Sequence, residues 1–284
     1  MSFISMHELL RFAEEHCFGV PAINVFNYES IKFAVKAAEE ARMPIIIQYY
    51  PGLAEHASLD DIRTATEEFI GNASVPVTLH LDHSPTFEIA VDGLRARFPS
   101  IMVDGSSLPY EENLALTSSV VRCAHVMKAD VEAELGHVGV GMNAEDFQDR
   151  DKFTDPDQAA DFVSRTGCDS LAVAVGNAHG NYIKLPELDF DRIRTLRAKL
   201  DIPLVMHGGS DIPYDQMQEA VRCGMSKFNI ATEYQRCFYR ASRSYFAEDA
   251  RPDNYFGYLR AIERPAVDFV KAKITMLNPD GFSL

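Results

Sequence analysis

The chain has 284 residues, 46% of them hydrophobic, and a formal net charge of −15 from 42 acidic and 27 basic residues. Its length and apolar content suit one large globular domain spanning residues 1–284. The acidic balance excludes a general nucleic-acid binder, which needs a positive face, but not a phosphorylated metabolite, which a helix N-terminus and a few backbone N–H groups can hold.

In chain order, Met6–Glu15 reads as a helix ahead of the first strand. Short, continuous apolar runs then predict strands at Ala22–Phe26, Ile45–Tyr49, Val77–Leu81, Ile101–Val103, Val131–Glu134, Leu171–Val175, Leu204–Met206 and Lys227–Ile230. Such runs fit parallel strands covered on both faces. Between them, amphipathic stretches predict helices at Glu29–Arg42, Asp60–Ile70, Phe87–Arg97, Glu111–Lys128, Pro156–Arg165, Asp191–Lys199 and Tyr214–Arg222. Two more follow at Glu233–Phe246 and Ala261–Ile274. The strand–helix unit recurs around the chain, which predicts an α/β fold: a (β/α)8 TIM barrel with an extra N-terminal helix and C-terminal helices. No run of about 18 apolar residues predicts a membrane span. The start of the chain lacks the basic and apolar regions of a secretory signal. The five cysteines are scattered without metal-ligand spacing, as expected of reduced thiols in a cytoplasmic protein.

In such barrels the active site lies at the C-terminal ends of the strands, and the polar residues of this chain collect there. His83, His179 and His207 occupy equivalent places after three different strands, each followed by a small residue: Ser84, Gly180 and Gly208. Three imidazoles with an open fourth position make a catalytic rather than a structural Zn²⁺ site. Asp82, beside the first of them, reads as a general acid or base. His7, His16, His56 and His125 read as structural, and His80 as a core residue or a support for the site. Asp104 and Glu134 are read equally as a turn or cap and as ligands, either of a second divalent or monovalent cation or of the first as it shifts. Gly208-Gly209-Ser210 and Asn229-Ile230-Ala231-Thr232 follow the seventh and eighth strands, where many β/α barrels bind phosphate.

Read together, Leu81-Asp82-His83, Ile101 to Ser106, Val131 to Gly136, Gly176-Asn177-Ala178-His179-Gly180, His207-Gly208-Gly209-Ser210 and Asn229 to Glu233 resemble the class II, zinc-dependent ketose-phosphate aldolases. These include fructose- and tagatose-bisphosphate aldolases. The motifs stand in family order over almost the whole chain. The resemblance implies Zn²⁺ on His83, His179 and His207, and a proton passed between Asp82 and the substrate C4 hydroxyl. It implies a second-cation role for Asp104 and Glu134. It implies dihydroxyacetone phosphate binding by Gly180, Gly208, Gly209, Ser210, Asn229, Ala231 and Thr232, and a substrate contact from Asn24. It also implies a homodimer or homotetramer. Glu145, in the nearest match to an acidic pair after the fifth strand, is the candidate C3 base.

Departures bear on the aldehyde end. Where the family has Ser-Pro-Gly, this chain has Tyr50-Pro51-Gly52, and Phe256 stands where an Arg reaches the distal phosphate. An aromatic ring cannot make the bidentate contact of a guanidinium. Asp211 replaces the usual Gly after His-Gly-Gly-Ser, and Ser107 the usual His. The expectation is therefore an aldolase for a ketose 1-phosphate or ketose bisphosphate with an altered distal phosphate site. A standard 1,6-bisphosphate aldolase is the alternative. A metal-dependent hydrolase on the same fold is disfavoured by Asn24 and Asn27 where such enzymes place a His-x-His pair, and an inactive scaffold by the complete ligand set.

Overall fold

A computed structural model describes residues 3–143, 148–248 and 254–284. Eight parallel strands close into a barrel: β1 (Val20–Asn24), β2 (Ile45–Tyr49), β3 (Val77–Ser84), β4 (Ser100–Val103), β5 (Asp130–Leu135), then, after a short β6 (Gly139–Val140), β7 (Ser170–Val173), and, after a short β8 (Ala178–His179), β9 (Leu204–Met206) and β10 (Met225–Ile230). Strand β1 pairs with both β2 and β10, so no edge is left open. Nearly every barrel-strand residue is buried, because helices cover the outside while side chains fill the inside. The C-terminal ends of these strands form one rim, and the chain's polar residues gather on it.

The helices are α1 (Met6–Glu15), α2 (Tyr28–Ala41), α3 (Leu59–Ile70), α4 (Phe87–Arg95), α5 (Tyr110–Val126), α6 (Pro156–Thr166), α7 (Phe190–Lys199), α8 (Tyr214–Arg222), α9 (Thr232–Glu248) and α10 (Tyr255–Met276). Their starts follow ordinary capping chemistry: Asn27 and Ser30 form a capping box on α2, Ser58 and Asp61 one on α3, and Asp155 precedes Pro156 at the first position of α6. Helix α1 closes the N-terminal mouth of the barrel. It buries Met6, Leu9, Leu10 and Ala13, and Ser5 donates to Asp130 at 2.8 Å. Helix α10 packs against α2 and α9.

Several boundaries differ from the sequence expectation. The first strand is Val20–Asn24 rather than Ala22–Phe26, since Asn27 leaves the sheet to cap α2. The last helix starts at Tyr255, capped by Asn254, and runs through Pro265. The pair β6–β8 was not anticipated, being only two residues long on each side.

The largest local departure is in β3. It does not end at Leu81 but runs to Ser84, with a register shift against β4 between Leu81 and Ser84. His83 there has φ of +46°. Such a bulge breaks the alternation of side chains across a strand. Asp82 and His83, neighbours in sequence, therefore both reach the mouth of the barrel.

Candidate active site

His83, His179 and His207 converge. Their ring centroids lie 5.0, 4.6 and 5.6 Å apart, and one nitrogen from each falls within 4.8 Å of the others. His83 comes from the bulge in β3, His179 from the short β8, and His207 from the turn after β9. The β6–β8 pair holds the backbone of His179 above the barrel, where its carbonyl accepts from the Gly141 N–H at 2.8 Å. Asn177 holds the next element by donating to the His207 carbonyl at 3.0 Å.

Each imidazole has a distinct electrical setting. His83 Nδ1 is 2.8 Å from Asp104, leaving Nε2 toward the centre, 3.8 Å from Asp82. Burial works to lower its pKa, but the nearby carboxylates of Asp82, Asp104 and Glu134 outweigh it and hold the ring up at about 10. His179 goes the other way, pushed down to about 4 by burial and by His83. Its Nε2 is buried without a hydrogen-bond partner among the described residues. His207 is fully buried, which drives its pKa well down, with further repulsion from His83. Its Nε2 meets Glu132 at 2.9 Å, while Nδ1 lies 3.2 Å from Glu134 without hydrogen-bond geometry.

The neutral rings of His179 and His207 each keep one nitrogen unpartnered among the described residues, as a borderline divalent ion requires of its ligands, and such an ion would displace the proton that the carboxylates hold on His83. Carboxylates behind His83 and His207 supply the outer partners that orient such ligands. The residues thus fit a zinc ion. Asp104, Glu134 and His83 form a second ligand-capable group. Burial, then the Asp104 charge, raises Glu134 to about 8, whereas hydrogen bonds from His83 and Ser106 overcome burial and hold Asp104 well below the carboxylate range. Asp104 also accepts from the Ser106 N–H, so the turn role and the ligand geometry coexist.

Asp82 is gripped from two sides. Asn24 donates to one oxygen at 2.8 Å and Asn229 to the other at 3.2 Å. Gln48 in turn donates to Asn24, and Lys227 donates to Asn229 at 2.8 Å. Lys227 also pairs with Glu132 at 2.9 Å, and Glu132 reaches His207. One continuous polar chain therefore runs beneath the site from Gln48 to His207. Glu132, Lys227 and Gln48 were missed as supports. Their signal was spacing: Glu132 alternates with Glu134, and Lys227 with Asn229, so each pair shares a strand face.

A cleft of about 230 Å³ opens over this floor, lined by Asn24, Asp82, His83 and His179 together with Gly180, Gly208, Ser210, Asn229, Ala231 and Thr232. The remaining wall is Tyr50, Leu53 and Gln235. Gly208 has φ of +62°, and a Cβ there would stand 1.9 Å from the Ala178 carbonyl oxygen, so the loop after β9 can lie against β8 only with glycine. Gly209 does not line the cleft, because its N–H is spent on the Asn229 carbonyl. Glu145 lies outside the described residues. His80 sits in the core with Nδ1 2.8 Å from Ser100. A larger hollow between α9 and α10, about 890 Å³, carries none of the converging histidines.

Comparison with known proteins agrees over nearly the whole chain. The family model described as fructose-bisphosphate aldolase class-II matches residues 4–281. Among solved structures, the YdjI aldolase of Escherichia coli K12 is 32% identical with a TM-score of 0.88, covering 99% of both chains. A putative fructose-1,6-biphosphate aldolase of Coccidioides immitis is 30% identical with a TM-score of 0.85, covering 96% of both. The fructose-bisphosphate aldolase of Campylobacter jejuni is 25% identical with a TM-score of 0.82, covering 98% of this chain and 96% of that one.

Proposed function

We propose a reaction on the premise that this chain belongs to the class II fructose-bisphosphate aldolase family and is an aldolase, a carbon–carbon lyase. The reaction is reversible aldol cleavage of a ketose 1-phosphate, or a ketose bisphosphate, to dihydroxyacetone phosphate and an aldehyde. The observation that carries it is the convergence of His83, His179 and His207 beside an Asp82 carboxylate held on both oxygens.

His83, His179 and His207 would hold Zn²⁺, with Asp104 and Glu134 placed for a second cation. When bound, Zn²⁺ supplies Lewis acidity that stabilises the negative charge of an enolate. In cleavage, Asp82 takes the proton of the C4 hydroxyl. The C3–C4 bond breaks, its electron pair stays with C3, and C4 leaves as the aldehyde. A proton must then reach C3, the role assigned to Glu145. Asn24 and Asn229 fix the two Asp82 oxygens in place for that transfer. Gly180, Gly208, Ser210, Ala231 and Thr232 would receive the phosphate of dihydroxyacetone phosphate, with Thr232 opening α9 so that the helix N-terminus faces the anion.

At the aldehyde end the ordinary distal-phosphate grip is altered. Among the described residues, no Lys or Arg lines the cleft. Tyr50 occupies the wall there, and Phe256, on the first turn of α10, is 72% exposed. Arg264 is committed to Glu40 and Asp268. A ketose 1-phosphate with an uncharged distal end fits this wall better than a bisphosphate. The competing reading is a standard 1,6-bisphosphate aldolase, as the similar structure from Coccidioides immitis is described. Exposed aromatic residues on α9 and α10, Tyr239, Phe246, Tyr255 and Phe256, support a homodimer or homotetramer. Five unpaired cysteines support a reducing, cytoplasmic location. The net charge of −15 argues against nucleic-acid partners. Among the described residues no helix is long and apolar enough to cross a membrane.

The test is proton exchange. Zn²⁺-loaded protein is incubated with dihydroxyacetone phosphate in D₂O, and its C3 proton is followed by NMR. Exchange that disappears with EDTA and in His207→Ala is the expected result, and no exchange with metal bound would sink the aldolase chemistry. Cleavage of fructose or tagatose 1,6-bisphosphate near the diffusion limit would decide for the standard bisphosphate enzyme.

A further inference from the structure

One guanidinium fastens the two loops of the proposed phosphate end to each other and to a helix. Arg236 is on α9, near its start. It makes a two-pronged contact with Asp211, Nη1 to Oδ1 at 3.0 Å and Nη2 to Oδ2 at 2.8 Å. Nη2 also reaches Asn181 Oδ1 at 2.5 Å. Asp211 directly follows Ser210 in the loop after β9, and Asn181 directly follows Gly180 in the loop after β8. Neither Arg236 nor Asp211 lines the catalytic cleft. The Asp211 side chain and Arg236 are both partly exposed, at 31% and 28%.

The backbone shows what the tie holds. Asp211 has φ of +61°, a left-handed conformation that few side-chain-bearing residues adopt without compensation. The two loops already touch: Tyr182 Oη accepts from the Ala178 N–H at 2.7 Å and donates to the Gly208 carbonyl at 3.0 Å. Arg236 adds the link from both loops to α9, whose first residue, Thr232, lines the cleft. A bidentate guanidinium–carboxylate contact fixes angle as well as distance, which a single contact does not.

We propose that Arg236 is a positioning residue that sets the Gly180 and Gly208–Ser210 loops around the substrate's phosphate before the substrate arrives. This rests on the reading that these loops bind that phosphate. Arg236 touches no reacting atom, so its contribution is preorganisation: loops already ordered lose less freedom on binding.

The test measures binding and turnover together. Binding of inorganic phosphate and of dihydroxyacetone phosphate is followed by calorimetry on Zn²⁺-loaded wild type, Arg236→Ala, Asn181→Ala and the charge-swapped pair Arg236→Asp with Asp211→Arg. Metal content and thermal midpoint are recorded for each. The expected result is about tenfold weaker binding of both ligands in Arg236→Ala, a smaller loss in Asn181→Ala, and recovery in the swapped pair. KM for a cleaved substrate rises by about the same factor while kcat changes less than about twofold. Unchanged phosphate binding in both single variants overturns the proposal. So does a fall in kcat with KM constant, or a loss in Arg236→Ala with none in Asn181→Ala, since the charge at 236 would then matter rather than the tie. If wild type binds dihydroxyacetone phosphate but does not exchange its C3 proton, the aldolase chemistry fails while the binding data still judge the tie. If wild type binds neither ligand, both readings fall.

Discussion

Ion pairs occur both inside this barrel and across its outer helices, and they are built on opposite terms. Inside, Glu132, Lys227 and His207 are fully enclosed, and the polar chain they belong to runs on through Asn229 to Asp82. Outside, Glu40 of α2 meets Arg264 and Lys271 of α10 in partly exposed contacts at 3.2 and 2.9 Å. Desolvating charges inside a protein is costly, and well-packed apolar groups often serve stability as well. Surface pairs cost little and contribute little. The interior network is thus explained less by stability than by the groups it holds in place, His207 and Asp82. The exterior pairs only join two helices that pack already.

Substitutions can break or sharpen this contrast. The largest effect is expected at Asp82, which the interior chain holds on both oxygens. Asp82→Asn should lower kcat by about 10²–10⁴ with zinc content and fold retained, measured by cleavage assay beside metal analysis. Activity within a few-fold of wild type would remove Asp82 from the proton transfer. Next comes Lys227→Met. It leaves Glu132 buried without its cation, and removing one partner of such a pair typically costs about 3–5 kcal/mol. Chemical denaturation should show the loss, and the double variant Lys227→Met with Glu132→Leu should recover most of it. Were the single variant as stable as wild type, the interior pair would be no different from a surface one.

A smaller change follows in Glu132→Gln, which keeps the shape but weakens the hold on His207. Zinc affinity should fall by about 10–100-fold, read by competition with a chelator, with little change in the far-UV spectrum. Unaltered affinity would mean that packing alone orients His207.

The smallest effect belongs to the exterior. Hydrogen bonds from Lys271 and then Arg264 hold the Glu40 carboxyl below its ordinary value of 4.5. A carboxylate whose folded pKa is depressed contributes stability above its unfolded value and loses it as the pH falls through the folded one. Glu40→Gln should therefore cost less than about 1 kcal/mol at neutral pH, with the two unfolding curves converging as the pH drops below about 4.5. A difference that does not shrink as the pH falls would point to packing rather than charge.

How much of this was legible in the sequence varied with the range of the cause. The strand runs at Ile45–Tyr49 and Leu204–Met206 coincide with β2 and β9, because a continuous apolar run reports burial on both faces wherever it sits. His83, His179 and His207 were named from their place at strand ends, and the structure brings them together. The presence of Asn24 and Asn229 near the rim was readable; their grip on Asp82 was not, since it depends on two strands on either side of the barrel closure. Gly209 was grouped with its neighbours by motif, yet its N–H turns to Asn229 and away from the cleft.

Periodicity and residue type determined the alternating α/β pattern, the barrel and the identity of the histidine set, since these follow from local burial and from the chemistry of single side chains. Only the tertiary structure decided the left-handed turn at His83 that lets adjacent Asp82 and His83 both reach the barrel mouth. It alone decided the buried Lys227–Glu132 support and the Arg236 tie between two loops. The support and the tie join residues 25 to 95 positions apart, and such contacts are fixed by barrel closure rather than by any local preference of the chain.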